Sequence, residues 1–150
     1  MNIEYKKIDD FLFDKIVDIF GEWLKKDKQL FIRDDAFAFV AMDGDFPAGY
    51  VCVTPRALEY PLEHLKDAYI EVLGVHEDYR RHGIGQHLIE CSEEWARNAG
   101  FKQIRTHSND KAVEAIHMWH KLCYGLCPHD YYAEEGCAGY WVAKILNLKS

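Results

Sequence analysis

A chain of 150 residues, 49% of them hydrophobic, is long enough to bury one sizeable core, and no Pro/Ser-rich or charge-run linker divides it, so a single domain over residues 1–150 is expected. With 25 acidic against 18 basic residues and a formal charge of −7, its field suits cationic partners and disfavours nucleic acid. No apolar run could span a bilayer, no basic-then-apolar leader follows Met1, and five scattered cysteines make no secreted disulfide framework, so a cytoplasmic protein without a membrane partner is expected.

In chain order, residues 3–8 read as a short strand. Asp9 or Asp10 can then cap a helix whose apolar positions Phe11, Ile16, Ile19, Phe20 and Trp23 recur at helical spacing and are expected in the core. Residues 36–42 and 48–54 flank Asp43-Gly44-Asp45-Phe46-Pro47 and predict a hairpin around an Asp-Gly turn. Residues 56–66, broken by Pro55 and Pro61, read as a surface loop. An apolar strand follows over 69–75 and an amphipathic helix over 84–98. A strand over 101–107, a helix over 111–122 and a closing strand over 139–146 complete an alternation that argues for an α/β layered domain.

Between the 69–75 strand and the 84–98 helix stands Arg80-Arg81-His82-Gly83-Ile84-Gly85. Glycines there let the backbone turn tightly and approach a ligand, and the first amides of the helix point outward beside the positive end of its dipole. The result is an anion site with a basic pair at its entrance. A nucleoside-triphosphate loop would need Lys and then Ser or Thr after its last glycine, where Gln86 and His87 stand; a dinucleotide fingerprint would need a third glycine where Leu88 stands. What fits is Arg-x-x-Gly-x-Gly after Val-Leu-Gly-Val. It resembles the acetyl-coenzyme A loop of the GCN5-related N-acetyltransferases, in particular members like the aminoglycoside 6'-acetyltransferases.

The resemblance implies a layered α/β fold with a mixed, mostly antiparallel central sheet flanked by helices, the 36–54 hairpin lying at its middle. It implies acetyl-coenzyme A as cosubstrate and direct transfer to an amine, without an acyl-enzyme. The pyrophosphate would be held by Arg80, Arg81, His82, Gly83, Ile84, Gly85 and Gln86. Leu73 and Val75 would give main-chain groups to the pantetheine arm, and Asn109, before the next helix, would contact the same arm. Glu71 would bind the acceptor ammonium and accept its proton, and Tyr69, on the same strand face, would line that pocket.

Past Asn109 the sequence departs from the family pattern. Ala112 fits the expected alanine, but Ile116 stands where a tyrosine general acid should, and Trp119-His120-Lys121-Leu122-Cys123-Tyr124-Gly125 resembles the family's Tyr-Glu-Lys-Leu-Gly-Phe moved by about one helical turn. Trp119 would then take the tyrosine's place without a useful proton, leaving His120 as the expected acid, with His117, Tyr124 and water as the other donors. His117, His120, Cys123, Cys127, His129 and Cys137 lack zinc-ligand spacing, so no metal is expected; a cysteine nucleophile, from Cys91, Cys123 or Cys127, is disfavoured because nothing nearby would lower a thiol pKa. An acidic group at Asp130, Glu134 and Glu135, beside Tyr131 and Tyr132, adds to the field for cations. A small amine, a polyamine, an aminoglycoside-like sugar or a protein amino terminus would each suit it. The competing reading is an acyl-coenzyme A sensor or interaction module with this fold, and both a monomer and a homodimer are compatible with the sequence.

Overall fold

The computed structural model describes residues 1–132 and 135–146, and Glu134 of the acidic group lies outside them. β1 (Ile3–Lys7), β2 (Phe37–Asp43), β3 (Phe46–Ala57) and β4 (Lys66–Val75) pair antiparallel in succession. β4 then runs parallel to β5 (Gln103–Asn109). Beyond it β7 (Cys137–Ile145) and β6 (Gly125–Tyr132) complete a mostly antiparallel sheet of seven strands in the order β1-β2-β3-β4-β5-β7-β6. The predicted hairpin closes where Asp43 faces Phe46, with Gly44 at φ +60°, a conformation glycine adopts without penalty.

Two cores lie on opposite faces because side chains alternate along the strands. Tyr50 and Cys52 of β3 pack with Phe13, Ile16 and Val17 of α1 (Asp10–Phe20) and with Phe31 of α2 (Lys28–Phe31). Val51 and Val53 pack on the other side with Ile84, Leu88 and Ile89 of α3 (Ile84–Asn98) and Trp119 of α4 (Val113–Lys121). Asp9 does cap α1, accepting the Leu12 N–H at 2.8 Å.

Several sequence expectations change. The buried stripe of α1 is Phe13, Ile16 and Val17, with Phe20 half-buried, so Phe11 (67% exposed) and Ile19 fall off it; the chain leaves the helix at Gly21, φ +131°, which puts Trp23 (53% exposed) in a following 3-10 turn. β3 runs on through Pro55 and Arg56 to Ala57, shortening the loop. α4 starts two residues late because the Asn109 side chain accepts the Lys111 N–H at 3.0 Å and holds a non-helical turn. β6 was not predicted at all: it is an edge strand whose described side chains are nearly all exposed, so it carries no period-two signal.

Candidate active site

The sheet opens where the site must lie. β4 and β5 share only the rungs Ala68↔Ile104 and Tyr69↔Arg105, after which β4 continues to Val75 beside β3 while β5 turns to β7. One edge of β4 is therefore left without a strand from Glu71 onward. The His76 N–H donates to Ala48 O across the β3 edge, at 2.8 Å, so by the period of two the main-chain groups of Leu73 and Val75 face the opening. Gly74 lets this edge lie flat on the buried Tyr50 ring, since a Cβ there would come within 2.6 Å of it.

At the end of this edge the chain makes a short 3-10 turn and enters α3 through backbone of positive φ, +67° at Arg81 and +78° at Gly83. Arg80 Nε donates to Val75 O at 3.4 Å, tying the turn to the strand. No side chain caps α3, so its first-turn N–H groups stay open to an anion. A cleft of about 1320 Å³ joins these parts, lined by Leu73, Val75, Arg80, Arg81, Gly83, Ile84, Gly85 and Gln86 on one wall and by α4 on the other. Acetyl-coenzyme A fits this donor set on three counts: open amides and guanidinium groups for its phosphates, a free strand edge for its amide-bearing arm, and room for its length. His82 sits within the loop but does not line the cleft. Nor does Asn109, whose Oδ1 accepts a hydrogen bond in the turn before α4; Ala112 and Val113 occupy the wall there.

Glu71 stands at the apex of the opening. Cys52 pairs with Val72 and Val53 with Ile70, which leaves Glu71 as the extra residue of a β-bulge, the device by which a strand re-aims one side chain. It accepts the Thr54 hydroxyl at 2.7 Å and meets Arg56 at 3.8 Å, with 17% of the side chain exposed. Tyr69, on the same face, is covered by the Arg56 guanidinium at 4.1 Å and by Arg105 at 5.2 Å; Trp141, His107 and His129 extend this wall outward. Sequence reading missed Thr54 and Arg56, although both share the period-two face of Cys52, and missed the Arg105, His107 and Trp141 wall, for which only cross-strand register is a signal.

The profile of the acetyltransferase (GNAT) family matches residues 6–123. The chain belongs to that family. Solved structures agree on the fold. The ribosomal-protein-S18-alanine N-acetyltransferase of Escherichia coli superposes with a TM-score of 0.77 at 13% identity over 99% of this chain and 97% of that one. An aminoglycoside 6'-N-acetyltransferase complexed with coenzyme A gives 0.77 at 16%, over 100% and 99%. Arabidopsis thaliana NAA60 in complex with acetyl-CoA gives 0.75 at 16%, over 97% and 99%. No curated protein matches the sequence.

The end of α4 fits an offset of one helical turn from the GNAT pattern. Cys123, where the family has glycine, adopts φ +69°, and α4 ends with Tyr124 N–H donating to Trp119 O (2.9 Å) and Cys123 N–H to His120 O (3.0 Å), a Schellman cap. That cap sets Trp119 and Tyr124 edge to face, 4.9 Å between ring centres, and buries both. Tyr124 is thereby removed from the candidate acids: its hydroxyl donates to Glu93 at 2.7 Å, and burial first, then Glu93, pushes its pKa up. His120 is exposed and outside the cleft lining, whereas His117 lies within it. Burial pushes the Cys52 thiol up to about 12, and burial with Glu90 raises Cys91, so neither supplies a thiolate near neutrality.

Tyr124→Phe is expected to lower stability by about 1–2 kcal/mol, because Lys144 still pairs Glu93 at 3.0 Å. Turnover should not change. Chemical denaturation and an initial-rate assay check the two halves, and a large rate loss would return Tyr124 to the chemistry.

Proposed function

We propose that the whole chain is one catalytic domain that moves the acetyl group of acetyl-coenzyme A directly to a primary amine of a small substrate arriving as its cation. The observation that carries this reading is the coincidence of the bulge bearing Glu71 with the point where β4 and β5 part. The cosubstrate supplies the acetyl thioester. Arg80, Arg81 and the amides of residues 83–86 hold its pyrophosphate, and Leu73 and Val75 hold its arm, one of their N–H groups polarising the thioester carbonyl. An alkyl ammonium, with a pKa of ~10.4, must shed a proton before attack; Glu71 binds it and takes that proton through water. The amine nitrogen bonds to the acetyl carbon as the carbon–sulfur bond breaks, and the departing thiolate takes a proton from His117, a reading supported by the lining of the cleft, which includes His117 and not His120.

Free thiol is followed with acetyl-coenzyme A and a panel of amines. Amine-dependent release is expected; tight cofactor binding with no release under any amine makes the protein a sensor of the cofactor. Gly83→Val tests the cradle. Nothing lies within 4 Å of a Cβ placed there, so the cost is backbone strain at φ +78° alone, about 1–2 kcal/mol or more. Acetyl-coenzyme A should bind about tenfold more weakly by calorimetry. Unaltered affinity removes the loop from the cofactor site.

A further inference from the structure

The carboxylate at the apex is not alone. Two guanidinium groups other than that of Arg56 are engaged by carboxylates at hydrogen-bond distance: Arg33 grips Asp35 with two nitrogens at 2.8 and 2.7 Å, and Arg105, over the same Tyr69 ring as Arg56, is held by Asp67 at 2.6 Å and Glu59 at 3.0 Å. Arg56 differs. It lies over the Tyr69 ring with its central carbon 4.1 Å from the ring centre, shares a side-chain hydrogen bond with Tyr69, keeps 51% of its side chain exposed, and meets its one carboxylate neighbour among the described residues, Glu71, only at 3.8 Å, too far for a hydrogen bond. Glu71 meanwhile has its hydrogen bond from Thr54. The guanidinium is thus held over the ring, half-exposed, beside the group that would take the ammonium.

We propose that the acceptor is an α-amino acid, whose ammonium is bound by Glu71 and whose carboxylate is bound by Arg56. This rests on the acetyltransferase reading and deepens it: the ammonium that reading requires is kept and a second pole is added. Adjacent opposite charges on the protein complement adjacent opposite charges on the ligand, and guanidinium binds carboxylate in a two-pronged geometry. A polyamine or aminoglycoside brings a further cation against Arg56, and a protein amino terminus has no carboxylate next to its amine.

The experiment compares the twenty L-amino acids with their methyl esters, spermidine and kanamycin. It follows thiol release with acetyl-coenzyme A, and binding to the coenzyme A-loaded protein by calorimetry. For the best amino acid, esterification should lower kcat/KM and affinity about ten- to a hundredfold. Arg56→Gln should impose a similar loss on the acid and a much smaller one on the ester, and Arg56→Lys should restore part of the acid's loss. The ester controls for any displacement of Glu71 by the substitution. Esters as good as acids, equal losses for both in Arg56→Gln, or transfer only to spermidine or kanamycin would each overturn the proposal while leaving the acetyltransferase reading in place. If no amine releases thiol, that reading fails, and calorimetry still decides the pocket: preference for acid over ester supports it, and no binding overturns it.

Discussion

Glu71→Gln lowers turnover with any accepted amine by about a hundred- to ten-thousandfold, the range in which general bases contribute, and leaves acetyl-coenzyme A affinity unchanged. Glutamine keeps the size of the side chain and can still accept the Thr54 hydroxyl that fixes Glu71 at 2.7 Å, so the bulge and the cleft are preserved. What it loses is the charge and the basic oxygen that the proposed role of Glu71 requires. Because Glu71 is not among the residues lining the cleft, calorimetry with acetyl-coenzyme A should read the same Kd for both proteins. Turnover unchanged at saturating amine would remove Glu71 from the chemistry.

Arg105→Ala should cost about 3–5 kcal/mol of folding stability, because it strands a buried carboxylate. Asp67 is 1% exposed; its Oδ2 accepts from Arg105 Nε at 2.6 Å and Gln103 at 2.9 Å, and its Oδ1 has no partner among the described residues. Burial, against the pull of Gln103 and Arg105, already pushes the Asp67 carboxyl up, and removing the guanidinium pushes it further. The sign of the pH dependence follows. A carboxyl whose folded pKa lies above its unfolded value binds more protons in the folded state, so stability falls as pH rises between the two values. The deficit of Arg105→Ala is therefore largest near neutrality and shrinks on acidification toward the raised pKa. Urea unfolding at pH 7 and pH 5 checks this. A deficit below about 1 kcal/mol, or one that grows in acid, would show that the pair is not what holds the last rung between β4 and β5. Replacing both residues, as Asp67→Asn with Arg105→Met, should recover much of the loss.

Local chemistry was legible in the sequence where a few consecutive residues decide the outcome. The Asp43 to Pro47 turn, α3 from Ile84 to Asn98 and the Gly83 conformation all came out as read, because turn backbone, helix periodicity and the start of a helix depend on neighbours a few positions away. The same reading went astray where burial is decided from outside. Trp23 has the right spacing for the α1 core, yet Gly21 turns the chain away before it. α4, read from residue 111, starts two residues later because the Asn109 side chain accepts the Lys111 N–H in a turn.

The sequence by itself determined a layered α/β acetyltransferase fold and its anion loop, since those rest on contiguous patterns. Tertiary structure alone decided the surroundings of Glu71 and the end of α4. That β4 bulges at Glu71, that Thr54 and Arg56 of β3 fall beside it, and that Trp119 and Tyr124 turn inward are outcomes of strand register and of how a helix end packs. Register is set by pairing between segments far apart in the chain, and a slip of one residue would present the opposite face.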